Sequence, residues 1–246
     1  RSAEPLLAGL DHIIVPAGER KSLSLPDGTT VLLNGGSDLR LTGGFNTDRR
    51  GGKLRGEAYF NVKPDARKPF IIRTAAMNIK VLGTAFNVRS YPDETTDATS
   101  LIQGKIEVTL TDKAYPASRY VLEPMQKLVV ERQPATGKSL PSGTSLKKDA
   151  PAIHLDSLLK NRLVEGFTET AWTDHTLAFY DETLQQAAFK IEKWFGAQVY
   201  FENDALRLVK YTGTFENEPL EKVLEIMKLS IPGLQYRIND KKVYLY

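Results

Sequence analysis

The chain has 246 residues, and its 33 Lys and Arg against 30 Asp and Glu leave a formal charge of +3, too small a surplus to mark a nucleic-acid binder by bulk charge. At 41% apolar and 26% charged the composition is that of an ordinary globular protein, and no run approaches the ~20 continuous apolar residues of a bilayer span. The absence of cysteine excludes disulfides, thiolate metal sites and a cysteine nucleophile.

From His12 to about Val130 the apolar residues alternate with polar ones, the period of strands. Leu23/Leu25 and Val31/Leu33 flank Pro26-Asp27-Gly28, a chain reversal in which Pro sets φ and Gly accepts a positive φ. The alternation continues through Leu39/Leu41, Ala58/Phe60/Val62, Phe70/Ile72, Ile79/Val81, Phe86/Val88, Ile106/Val108/Leu110, Tyr120/Leu122 and Leu128/Val130. Residues 1–133 therefore read as a mainly β N-terminal domain, a twisted multi-strand sandwich or solenoid with no helix.

Pro134, Gly137, Pro141, Ser142, Gly143, Ser145 and Pro151 then break the pattern, so residues 134–170 read as a linker. Leu155, Leu158, Leu159 and Leu163 within it suggest one short helix.

The period changes to 3.6 in residues 171–246, a small α+β module with two strand-helix-strand units. Leu184, Ala187, Ala188, Ile191, Trp194 and Phe195 line one helix face, Thr183 with Gln186 forms a capping box, and Gly196 is placed to end the helix. A second helix is marked by Pro219 and by Leu220, Val223, Leu224 and Met227. Strands are expected near Leu177–Phe179, Gln198–Phe201, Val209–Phe215, Leu234–Ile238 and Lys242–Tyr246. Charge divides along the chain, with 19 basic against 15 acidic residues through 133 and 9 against 11 from 171, so the two parts meet different surfaces.

Catalytic, cofactor and metal residues are all assigned as none. His12, His154 and His175 stand apart without metal-ligand spacing, and the neighbours Asp93/Glu94 and Asp181/Glu182 lie in turn-like contexts rather than converging. Gly137-Lys138-Ser139 superficially resembles the end of a phosphate-binding loop, but Arg132 stands where that motif needs glycine and Pro141 blocks the helix. Tyr59, Tyr91, Tyr115 and Tyr120 give no readable exposed row for sugar stacking. The opening Arg1-Ser2-Ala3-Glu4, without methionine, reads as a piece whose anchoring or targeting segment has been removed.

Leu25-Pro26-Asp27-Gly28-Thr29 with Leu33-Asn34, Gly56-Glu57-Ala58-Tyr59-Phe60, Pro69-Phe70, Val81-Leu82-Gly83-Thr84-Ala85-Phe86-Asn87-Val88 and Gly104-Lys105-Ile106-Glu107-Val108 stand in the order they take in FecR-type anti-sigma factors. The chain resembles that family over about residues 12–130. From Trp172 it resembles the small domain that ends the Bacteroidetes branch, related to the secretin and TonB short N-terminal domain. Pro124-Met125 replaces the family's frequent Pro-Gly, and His175 replaces a glycine after Trp-x-Asp. The resemblance implies the periplasmic region of an inner-membrane regulator without catalytic residues or cofactor. Its partners would be the signalling domain of a TonB-dependent outer-membrane transporter and, through a cytoplasmic segment outside these residues, a sigma factor. Nucleic acid is not an expected partner, and the membrane is met only through an upstream helix.

Asp27, Gly28, Asn34, Gly56, Glu57, Gly83, Asn87 and Gly104 are expected to maintain the fold. A buried Glu57 needs a donor, for which Arg55 or Arg73 is the expectation. For docking, the expected sheet edges are Val209–Phe215 and Lys242–Tyr246, with Val209, Tyr211, Lys242, Tyr244 and Tyr246 as contact residues. The rival reading is a carbohydrate-binding β-domain with a docking module, which requires an exposed aromatic row.

Overall fold

The computed structural model describes residues 12–47, 50–111, 118–132, 153–161 and 166–246. The first lobe holds β1 (His12–Val15), β2 (Lys21–Ser24), β3 (Thr30–Leu33), β4 (Ser37–Leu41), β5 (Arg50–Asn61), β6 (Phe70–Arg73) and β7 (Met77–Val81). It continues with β8 (Ala85–Ser90), β9 (Thr96–Gln103), β10 (Ile106–Leu110), β11 (Arg119–Leu122), β12 (Gln126–Glu131) and β13 (Ile153–Ser157).

The long strand β5 organises this lobe. Its first half pairs with β4 and β6, its second half with β3 and β8, so one strand serves two sheet regions. Gly56, at the change of partners, has φ 112°, and a Cβ there would lie 2.6 Å from Ser37 Cα. The bend thus requires glycine. The sheet, in the order β11-β10-β7-β6-β5-β8-β9-β12-β13, curls into a half-barrel. The alternating apolar residues fill its concave side, with Phe60 stacked on Phe86 at 5.1 Å and tilted against Phe70 at 5.8 Å.

One ion pair is sealed in this lobe. Arg50, 1% exposed at its side chain, lies 3.0 Å from Asp27 and also donates to the carbonyls of Lys63 and Lys68. Asp27 accepts from the Thr29 amide and hydroxyl as well, so both buried charges are hydrogen-bonded. Asp27, expected to maintain the fold, sits at the centre of this network.

The expected short helix is not formed by the described residues. Ile153–Ser157 instead runs antiparallel to β12, with Leu155 opposite Leu128 and Asp156 opposite Lys127. Leu158 is buried and its amide donates to the Met125 carbonyl, while Leu163 lies outside the described residues. Four spaced leucines are too few to nucleate a helix, and the open edge of β12 offers a full ladder of bonds. The presumed linker therefore contributes a strand to the β-lobe.

A 3-10 turn over Ala171–Asp174 opens the second lobe. It contains β14 (Thr176–Thr183), α1 (Leu184–Phe195), β15 (Gln198–Phe201), β16 (Lys210–Glu216), α2 (Leu220–Ser230), β17 (Tyr236–Asn239) and β18 (Lys242–Leu245). The capping box of Thr183 with Gln186 is present, and Gly196 ends α1 at φ 67°. β14 pairs with β16, and β15-β18-β17 form a three-stranded sheet. Leu184, Ala187, Ile191, Val223, Leu224 and Met227 bury against Val243, Leu245 and Phe215 in a core separate from that of the β-lobe.

The placement of β18 overturns one expected docking edge. It is the central strand, parallel to β15 and antiparallel to β17, and even Tyr246 exchanges both backbone bonds with Gln235. A partner strand has no free backbone to meet there.

Candidate functional site

Glu57 is buried at the middle of β5, and its carboxylate collects three donors. Asn34 Nδ2 and Arg89 Nη1 donate to Oε2 at 2.9 and 2.8 Å, and Asn87 Nδ2 donates to Oε1 at 3.0 Å. Arg89 stands directly opposite Glu57 across the β5–β8 ladder, while Arg55 and Arg73, the expected donors, are exposed. Register decides this, because cross-strand neighbours lie about 5 Å apart on the same face. Arg89 also holds Glu94, at 3.0 Å from Nε. Burial opposes its charge, Glu94 and Glu57 outweigh that cost, and its pKa is held well above the ordinary value.

This cluster reaches across to the second lobe. Asn87 Oδ1 accepts from the indole N–H of Trp172 at 3.2 Å. Asn34 Oδ1 accepts from Arg20 Nε at 3.3 Å, Arg20 Nη1 donates to His175 Nδ1 at 3.1 Å, and the guanidinium lies 3.6 Å from the centre of the Trp194 ring. Because arginine only donates, His175 Nδ1 is the acceptor of that bond. Burial lowers the Arg20 pKa, and Glu57 and Tyr91 oppose that shift.

The carboxyl end of α1 docks beside these contacts. The Gly18 amide donates to the Lys193 carbonyl at 2.9 Å, a favourable end for a helix whose last carbonyls lack partners. Gly35 lies so close that a Cβ would overlap the Lys193 carbonyl oxygen, and a Cβ on Gly196 would come within 2.8 Å of the Ala17 carbonyl oxygen. Lys193 Nζ pairs with Asp93 at 2.6 Å and lies over the ring of Tyr91, whose hydroxyl donates to the Gly35 carbonyl at 2.8 Å. On the opposite side of the junction Lys127 pairs with Glu169 at 2.9 Å. A cleft of 370 Å³ separates the two sides, lined among others by Glu57, Arg89, Glu169, Trp172, Lys193 and Trp194.

Tyr200 on β15 stacks on Tyr244 at 5.3 Å, and the Arg237 guanidinium covers Tyr244 from the other side at 4.3 Å. Lys242 and Tyr246 are exposed along the same strand as Tyr244. Tyr211 differs from the expectation, being buried edge-on against Phe179, and burial raises its phenol pKa. Val209 is half-buried and its carbonyl accepts from Leu184. Both are therefore core-side residues rather than contact residues. Among the free strand edges, that of β14 has its Ala178 carbonyl taken by Lys190 Nζ, and that of β15 has its Val199 amide taken by Glu192. The outer edges of β16 and β17 pair with no strand.

The three histidines stay apart, beside Asp38, Glu131 and Arg20 respectively. Among the described residues no group of three His, Asp or Glu is gathered to hold a metal ion, and no helix is long and apolar enough to cross a membrane.

The sequence matches the family profile of the FecR protein over residues 11–107 and that of the FecR C-terminal region over residues 176–245. Two crystal structures of a candidate anti-sigma factor from Parabacteroides distasonis ATCC 8503, at 1.65 and 2.50 Å, superpose with a TM-score of 0.77 and 30% identity. They cover 96% of this chain, and 98% and 97% of theirs. The chain belongs to the FecR family. No curated protein matches it. FecR proteins are non-enzymatic anti-sigma regulators, and the family match runs through both lobes. Asn34, Glu57 and Asn87, which lie within the matched residues 11–107, form the polar cluster at the junction. Gly18, Arg20, Gly35, Arg89 and Trp194 belong to the same junction and were not legible as site residues. The alternation of Asn87 and Arg89 on one face was the available signal for Arg89.

Proposed function

We propose that this FecR chain is the periplasmic part of an inner-membrane anti-sigma regulator. It relays a signal from the signalling domain of a TonB-dependent outer-membrane transporter to an extracytoplasmic-function sigma factor, by protein-protein contact and without a reaction or cofactor. The docking surface is the tyrosine-bearing face of the three-stranded sheet, with Lys242, Tyr244 and Tyr246 as contact residues, Tyr200 and Arg237 beside them, and β17 as the flanking edge.

The observation that favours a protein partner is the use of the aromatic faces. A sugar platform needs a ring face open to solvent, but Tyr244 has Tyr200 on one side and Arg237 on the other. Edges of tyrosine and a braced arginine are residues enriched where proteins meet. At Tyr244, flanked on both faces, this weighs against the carbohydrate-binding alternative.

The test is calorimetric titration of this chain with the isolated signalling domains of transporters from the same genome, and with soluble polysaccharides. One signalling domain should bind, and Tyr244→Ala should weaken it about tenfold or more with the melting curve retained. Saturable polysaccharide binding without any signalling-domain binding would overturn the reading.

A further inference from the structure

The two sides of the junction are unlike. On one side Glu169 accepts from Lys127 Nζ and from the Leu159 amide, and Trp172 donates to Asn87. These residues come 12 and 15 positions after β13, and the Lys160–Phe167 bridge and the bond from the Thr168 amide to the Leu159 carbonyl tie that stretch back toward it. On the other side the end of α1 is far along the chain from the Gly18 and Gly35 turns it sits on. It is held there by one backbone bond, by Arg20 over Trp194, by the Lys193–Asp93 pair and by Lys193 over the Tyr91 ring. Asp93 is 42% exposed at its side chain, so that pair is partly screened by solvent.

What lies between the two sides is a cleft rather than a packed apolar seam. Glu182 Oε2, buried on its wall, has no hydrogen-bond partner. Each lobe closes its own hydrophobic core without residues from the other. Separating the α1 side therefore leaves both cores closed, the condition under which one body moves on another as a unit.

We propose that the carboxyl end of α1 is a releasable latch on the β-lobe, and that the C-terminal module pivots about Trp172 and Glu169 when the latch lets go. Gly18 and Gly35 form the catch: a Cβ on Gly35 would overlap the Lys193 carbonyl oxygen, and one on Gly18, at φ 87°, would lie 3.1 Å from the Gly196 nitrogen. Arg20 is the residue that couples the catch to the Glu57 cluster. The binding site so assigned is intramolecular, with the end of the first helix of the module as its ligand. This inference does not depend on which partner the module meets.

The chain contains two tryptophans, and they stand at the two ends of this motion. Trp172→Phe leaves Trp194 as the latch reporter, and Trp194→Phe leaves Trp172 as the pivot reporter. Gly35→Val, placed in each background of the full chain, should raise acrylamide quenching of Trp194 about twofold while leaving that of Trp172 unchanged, as expected of a hinge rather than a dissociation. Hydrogen exchange should keep β5 and α2 protected. Equal exposure of both tryptophans, or of neither, would overturn the latch, as would loss of protection in α2. A second measurement avoids the tryptophans altogether. The chain has no cysteine, so spin labels at Ser22→Cys and Leu229→Cys report one distance between lobes. It should be a single narrow distribution in the parent and broaden toward longer distances with Gly35→Val. An unchanged distribution with Gly35→Val, or a broad one in the parent, would also overturn the proposal.

Discussion

Arg20 of the β-lobe and Trp194 of the C-terminal module lie face to face, with the guanidinium carbon 3.6 Å from the ring centre. The same guanidinium donates to Asn34 and His175, so its plane is used for stacking while its edge is used for hydrogen bonds. Lysine supplies a charge but neither the plane nor the fork. Arg20→Lys is expected to lose about 1–2 kcal/mol of the stability contributed by the junction. Urea unfolding followed by tryptophan fluorescence checks this, because Trp194 is a partner in the contact and Trp172 lines the same cleft.

Glu57 makes a stronger demand. Removing its carboxylate leaves Arg89 with one carboxylate instead of two and strips Asn34 and Asn87 of their acceptor. Breaking a buried charged cluster by deleting one partner costs about 3–5 kcal/mol. Glu57→Ala should therefore unfold at markedly lower urea, whereas Arg55→Ala and Arg73→Ala, at exposed positions, should change the midpoint little. Equal effects of all three would show that the cluster carries no special weight.

Met125 occupies the left-handed region at φ 74° and is 39% exposed. A non-glycine residue there is strained by about 1–2 kcal/mol, against which glycine loses about 0.5–1 kcal/mol through the unfolded chain. Met125→Gly should raise stability by about 0.5–1 kcal/mol. His175, at φ 57°, has the same strain but accepts from Arg20, so His175→Gly should gain less. Thermal melts of the two variants side by side separate backbone strain from the lost contact.

Burial raises the pKa of Glu192, Asp93 adds to that shift, and the Val199 amide and Lys193 oppose it. An acid with a folded pKa above its unfolded value favours folding when protonated. Its contribution is present below the unfolded value of about 4.3 and is lost as pH rises through the folded value. Glu192→Gln keeps an acceptor for Val199 without the charge. It should gain stability relative to the parent as pH is raised above that window, with no gain well below it. Parallel pH–stability curves for the two proteins would contradict the expected linkage.

Cleavage between residues 137 and 150, the stretch taken to separate the lobes, should leave one particle rather than two. The strand β13 would stay paired with β12 on the other piece, and the junction adds its own contacts. Size-exclusion chromatography after the cut, with and without Gly35→Val, measures how far the junction alone holds the lobes. Elution of two small species from the unaltered chain would show that it does not.

Much of this architecture is local, and local structure was legible. Alternation placed Phe60, Phe86 and Val88 inside because strand side chains have a period of two whatever the neighbouring strand is. Thr183, Gln186 and Gly196 marked both ends of α1 because caps are made within one turn of the chain. Asp27 could be read as a turn residue, though its buried partner Arg50 lies 23 positions away and no spacing announces it. The rest was decided by pairing. The alternation of β18 is the same at an edge or at a centre, and only the parallel return of β15 makes it central. Leu155 joined a strand because β12 had an open edge, a condition set by the whole sheet rather than by its own neighbours. The junction was least legible of all. Its contacts are single polar bonds, glycines chosen for what they lack, and a stacked Arg20–Trp194 pair separated by 174 positions. Such contacts have no period along the chain, so they exist for a reader only once tertiary packing has brought the two lobes together.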